Sequence, residues 1–123
     1  MLSVILATEN LYKAKNEFIN AGWSLVFETP EDSDDRLAIV RLGDAQVMLG
    51  IDSPEFLPEE SREHKGAGVD IYLTLPDGTS IDSVYEKHLK AGLVKDPLET
   101  KPWGVRAFHA RICGYSFLIA REE

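Results

Sequence analysis

The sequence predicts an α+β fold in which a strand–helix–three-strand (βαβββ) module occurs twice and the two copies form a cupped mixed sheet. Three observations carry that prediction. Apolar residues alternate with period two on either side of short helical stretches, the pattern of strands flanking helices. The order of segments in residues 1–51 returns in residues 68–123 at a spacing of about 67 residues, longer than common solenoid repeats. The stretch between them, about residues 52–67 (DSPEFLPEESREHKGA), is polar and rich in Pro and Gly, as a connecting loop is.

The first segment, SVILATEN, alternates as a strand: Val4 and Leu6 point one way, Ser3, Ile5 and Ala7 the other. Asn10 caps a helix carrying Leu11, Ala14, Phe18 and Ala21 at helical spacing, and Gly22 stops it. WSLVFE is the second strand. After the turn cluster TPEDSDD, RLAIVRLGDAQVMLG reads as a hairpin turning at Gly43-Asp44. In the second copy, VDIYLTL sets Val69, Ile71, Leu73 and Leu75 on one face and Asp70, Tyr72 and Thr74 on the other. Ser80 caps a helix bearing Ile81, Val84, Tyr85, His88 and Leu89, which ends in Ala91-Gly92 as the first ends in Ala21-Gly22. LVKDPLE is a weak strand and RAFHARICGYSFLIARE a second hairpin. Arg36 and Arg41 are five apart, as are Arg106 and Arg111. One module alone has too little core, so the two are expected to pack as a single domain. The helices are expected on the outer faces of the sheet, with the polar faces carrying Ser3, Asp70 and Tyr72 lining a concavity.

A chain of 123 residues has the length of one domain. No apolar run approaches the roughly 20 residues of a membrane span. The N-terminus, MLSVILATENLYKAK, has neither the basic region nor the cleavage-like site of a secretory signal. A cytoplasmic setting is expected, and the single cysteine, Cys113, fits it. The net charge of −8 argues against nucleic acid, which needs clustered Lys and Arg. It favours cationic small molecules or basic partners, or simply solubility.

Two modules of this kind resemble the vicinal oxygen chelate superfamily, which includes glyoxalase I, extradiol dioxygenases, fosfomycin-modifying enzymes and bleomycin resistance proteins. The resemblance covers nearly the whole chain. ENLYKAKNEFINAGWSLVFE is similar to the first helix and second strand of these proteins, and RLGDAQVMLG to their first hairpin. PWGVRAF followed by GYSF is similar to the last hairpin of the bleomycin resistance branch. One departure stands out. The family usually has an Arg-Asp-Pro-x-Gly turn in that hairpin, whereas Arg111-Ile112-Cys113-Gly114 is one residue shorter and lacks the acid and the proline.

Enzymes of the superfamily hold a divalent metal on His and Glu side chains inside the cup. The resemblance sets those positions at Ser3, Met48, Asp70 and Leu118. A metal needs three or more N or O donors at about 2.0–2.2 Å, and only Asp70 is a competent ligand. Neither a metal nor another cofactor is therefore expected. His64 falls in the loop, His88 on a helix face expected to lie outside, and His109 in a strand; none is spaced as a ligand pair. A metal-dependent lyase, isomerase or dioxygenase would need shifted ligands such as Asp70, His109 and Glu122. There is no phosphate-cradling Gly-rich loop, nucleophile elbow or paired His-Glu helix motif. Nothing close to Cys113 in sequence would activate its thiol.

Metal-free members of the superfamily sequester a cationic antibiotic, and the bleomycin-binding ones form their grooves between the subunits of a homodimer. The resemblance thus implies a dimeric binder of a cationic or aromatic small molecule, with no metal or covalent chemistry. The ligand candidates are Trp103, mounted between Pro102 and Gly104, Gly104 itself, which leaves room for a close approach, then Tyr72, Phe108 and Met48, with Asp70 as carboxylate. The loop from Glu28 to Asp35, with five acids in eight residues, adds field or is simply a solvated turn. Trp103 has a plainer alternative as a plug at the hairpin edge or in a dimer seam. Phe108 shares a face with Arg106 and Ala110 that alternation leaves unassigned. Trp23, following the helix-stop glycine, reads as core. A non-catalytic dimeric interaction protein is a third reading.

Overall fold

In the computed structural model, which describes residues 2–52 and 57–122, each alternating segment is a strand and each 3.6-period segment a helix. The first module runs β1 (Val4–Thr8), α1 (Leu11–Asn20), β2 (Ser24–Glu28), β3 (Leu37–Leu42) and β4 (Ala45–Ile51). The second runs β5 (Asp70–Thr74), α2 (Ile81–Lys90), β6 (Val94–Thr100), β7 (Val105–Ile112) and β8 (Tyr115–Glu122). The strands form two four-stranded mixed sheets, ordered β1-β4-β3-β2 and β5-β8-β7-β6. In each, the strand that opens the module pairs parallel with the one that closes it, and the remaining pairs are antiparallel.

Local chemistry sets the boundaries. Asn10 and Ser80 accept from the backbone N–H of Lys13 (3.0 Å) and Ser83 (3.2 Å), satisfying donors that the first helical turn leaves open. The shortened β7–β8 turn is a two-residue link with Cys113 at φ 46° and Gly114 at φ 87°. Two left-handed residues in a row are the signature of a type I′ turn, whose twist matches that of the flanking strands.

Both helices lie on the inner side, in one core that the modules share, and not on the outside as expected. Leu6, Val40, Val47 and Leu49 of the first sheet meet Phe18 of α1, Val84 of α2, and Phe108, Phe117 and Ile119 of the second sheet. Phe18 packs edge-on against Trp23 (4.9 Å) and Phe117 (5.7 Å). The physical reason is that each module has one apolar sheet face and one apolar helix stripe; pooling the four surfaces removes more apolar area from water than two separate layers would.

His88, expected on an outward helix face, is fully buried in this core. Its Nε2 accepts the Trp23 indole N–H at 3.0 Å, and its Nδ1 lies 2.7 Å from the Val84 carbonyl. Those partners assign the proton to Nδ1 of a neutral ring, and burial lowers its pKa. Tyr115 makes a second tie between the modules, its hydroxyl donating to the Ala7 carbonyl at 2.8 Å.

Candidate functional site

With the inner faces given over to the core, the outer face of each sheet is left to solvent. On the second sheet the register lays out rows of side chains. Tyr72, Leu118, His109 and Asp96 form one row, with Asp70, Ser116 and Arg111 beside it. On the other side of the first row lie Thr74, Ala120, Ala107 and Glu99, then Glu122 and Val105. Val105, Ala107, Leu118 and Ala120 make a small apolar cluster separate from the core.

Trp103 stands in the tight turn that precedes β7. Lys101 N–H donates to the Val105 carbonyl (2.7 Å) and Gly104 N–H to the Lys101 carbonyl (3.0 Å), with Gly104 at φ 91°. Trp103 is 59% exposed, and Tyr72 is half exposed. Trp103 therefore does not fill the core, a role that falls to Trp23 at 2% exposure.

Asp70 is engaged on both oxygens. Ser116 Oγ donates to Oδ1 at 3.0 Å, and His109 Nε2 lies 2.8 Å from Oδ2. On its far side, His109 Nδ1 is 3.3 Å from Asp96. Ser116, Asp70 and His109 of this array line a cleft of about 510 Å³, together with the segment from Glu63 to Val69.

The remaining candidates do not share this face. Phe108 is fully buried on the inner side, between the rings of Tyr85 (5.2 Å) and His88 (5.3 Å), so no ligand on the outer face reaches it. Met48 lies on the outer face of the first sheet, in a row with Ile5, Ile39 and Phe27. Trp103 and Asp70 also stand apart: His109, which touches Asp70, is six residues from Trp103, about 20 Å of extended chain. A shifted metal set of Asp70, His109 and Glu122 does not converge either. Glu122 is six residues along β8 from Ser116, the neighbour of Asp70, again about 20 Å. Among the described residues, no group of three or more His, Cys, Asp or Glu is arranged to hold a metal ion. Burial, with the Glu17 charge adding to it, pushes the Cys113 thiol up to about 12.

Sequence reasoning named Asp70 and His109 but missed that they pair, and it passed over Arg111 and Lys95 as site residues. Only the strand register brings these groups together. No helix among the described residues is long and apolar enough to cross a membrane.

No protein-family model matches the chain, and no curated protein does. Solved structures match over its full length. TioX from Micromonospora sp. ML1 superposes with a TM-score of 0.74 at 21% identity, covering 100% of this chain and 96% of that one. A glyoxalase/bleomycin resistance protein/dioxygenase superfamily member from Sphaerobacter thermophilus DSM 20745 gives 0.67 at 26% identity, covering 98% and 94%. The chain has the glyoxalase/bleomycin resistance fold. Within that fold, a bleomycin-binding protein complexed with bleomycin matches with a TM-score of 0.67 at 13% identity, covering 100% of this chain and 98% of that one.

Proposed function

We propose that the protein binds a small cationic or aromatic molecule on the outer face of its second sheet, without metal or covalent chemistry. The exposure of Trp103 carries this reading. A flat indole on a glycine-backed turn, next to an apolar cluster bordered by Glu122 and by Glu99, which is paired with Lys101, suits an aromatic ring that bears positive charge. The net charge of −8 draws such a ligand in, and the likeness to a bleomycin-binding protein supports the same class. Tyr72 and Leu118 serve as the far wall. Asp70 contributes through the field, since Ser116 and His109 already hold its oxygens.

We further propose a homodimer in the cytoplasm. The first sheet's outer row of Ile5, Met48, Ile39 and Phe27 is apolar, with Ile5 and Phe27 half exposed. Laid over the second sheet of another copy, it would turn an open face into a groove and set Met48 opposite Tyr72 and Asp70.

Tryptophan fluorescence tests the binding. The chain has two tryptophans, and Trp23 is buried, so quenching by added ligand reads Trp103. Titration with a bleomycin-class drug and with simpler cationic aromatics is expected to give saturable quenching near one ligand per chain. Trp103→Ala is expected to weaken binding about tenfold or more. An unquenched protein at micromolar ligand, or unchanged affinity in the variant by calorimetry, would overturn the assignment.

A further inference from the structure

The outer face of the second sheet is polarised. Its Trp103 end carries Glu122 and a Glu99 paired with Lys101, whereas the opposite end, eight residues and about 26 Å along β7, opens onto a cleft lined by Lys65, Lys95 and Arg111. We propose that this cleft is a second binding site, one that takes the oxyanion of a small molecule, a phosphate or a carboxylate.

The charge arithmetic runs against the protein as a whole. The chain has 13 Lys and Arg against 21 Asp and Glu, so an average patch is acidic. The cleft reverses that balance: in its lining three of the basic residues, with His64 and His109, stand against two acids, Glu63 and Asp70, and a third acid, Asp96, meets His109 from outside the lining. Asp70 is the carboxylate in register with Arg111, across Ser116, and is the one placed to neutralise it. Both of its oxygens are held elsewhere, by Ser116 and by His109. Other cations of the chain have acidic partners, among them Lys15 with Glu28, Arg62 with Asp52 and Lys101 with Glu99. Among the described residues, no carboxylate pairs with the Arg111 or Lys95 side chain.

The site is also fixed in place. Arg111 is the penultimate residue of β7, paired with Ser116 through the tight β7–β8 turn, so its Cα does not depend on a loose loop. A guanidinium fork meets an oxyanion through two parallel N–H···O bonds, and the ammonium groups of Lys95 and of Lys65, the latter 5.5 Å from the Tyr115 ring centroid, add positive charge to the cleft. Gly68 and Gly114 leave the walls without side chains, and at Gly68 a Cβ would meet nothing within 4 Å. The acidic remainder of the surface repels anions, so binding here depends on local contacts more than on long-range attraction.

The test is calorimetric titration of the full chain at low ionic strength, with inorganic phosphate in one arm and citrate in the other. The proposal expects saturable one-site binding in at least one arm, and the tighter arm identifies the group. Arg111→Gln should weaken it about tenfold, while Lys90→Gln, in the exposed last turn of α2, leaves it unchanged. In the unmodified protein, amide resonances of Gly68 and Gly114 should shift with the same saturation, which needs no variant to fold. No saturation in either arm, or equal weakening by Arg111→Gln and Lys90→Gln, overturns the proposal. Because the Trp103 groove is read by fluorescence and by another variant, loss of one site leaves the other testable.

Discussion

Trp23 donates its indole N–H to Nε2 of His88 at 3.0 Å, and that bond crosses from the first module to the second inside the common core. Both residues are sealed from water, so neither half of the pair has a substitute partner. Trp23→Phe keeps an aromatic ring but orphans the imidazole nitrogen. It should lower stability by about 1–3 kcal/mol for the unpaired group, plus the loss of ring volume. Trp103→Phe, at an exposed site, should stay within about 0.5 kcal/mol. Urea denaturation of the two variants makes the comparison.

The same pair makes stability depend on pH. Burial holds the folded pKa of His88 below the ordinary 6.5. Below that value the unfolded chain binds a proton that the folded chain refuses, so stability falls with pH. The contribution is complete above pH 6.5 and is lost as pH falls toward the folded value. His88→Gln retains an acceptor for Trp23 and a donor for Val84 but does not titrate. Urea midpoints measured from about pH 7.5 to about pH 5 should decline less steeply in that variant.

Cys113 should be chemically quiet. With its pKa pushed up to about 12, chiefly by burial, the thiolate is scarce at pH 8. Alkylation by iodoacetamide is expected to be about three orders of magnitude slower than for a free cysteine. Mass spectrometry should find the native protein unlabelled over a time in which urea-unfolded protein labels fully.

The conformation of that residue supplies a separate expectation. At φ 46°, Cys113 occupies a left-handed position that Asn and Gly adopt more readily. Cys113→Asn should raise the thermal midpoint, with a gain of about 0.5–1 kcal/mol. A fall would mean that the packing of the thiol outweighs the strain at its backbone.

The proposed homodimer is tested at its apolar row. Phe27, the fourth of the five residues of β2, is half exposed. Phe27→Glu should shift the sedimentation of the protein from dimer to monomer while leaving its circular dichroism unchanged. A wild-type chain that sediments as a monomer at micromolar concentration would refute the arrangement.

The elements were legible because their periods are clean: strands alternate, both helices begin at a capping side chain, and the hairpin turns carry glycine. The placement of the helices was not. Whether a helix covers the outside of a sheet or enters a core shared with a second module depends on contacts such as Trp23 to His88, 65 residues apart. Phe108 failed to declare its side for a reason visible in β7. Arg106 sits on the inner face beside Phe108 and reaches Asp82 at 3.1 Å at the start of α2, while Val105 and Ala107 put apolar side chains on the outer face. Both faces therefore mix polar and apolar residues, and alternation assigns neither. The exposure of Trp103 was foreshadowed by Pro102 and Gly104. The Asp70–His109 pair needed the register of three strands, which no local pattern encodes.

The pooled interior has a bearing on what the repeat can become. Although the chain is written twice, its halves are not beads on a string. Removing the second half would strip Phe18 of Phe117 and open the Ala7 carbonyl that Tyr115 closes. Removing the first would leave the imidazole of His88 facing a void. Each half alone presents raw apolar surface. A nick between Ile51 and Asp70 should leave two fragments that hold together, whereas a truncation that loses either fragment loses the whole protein.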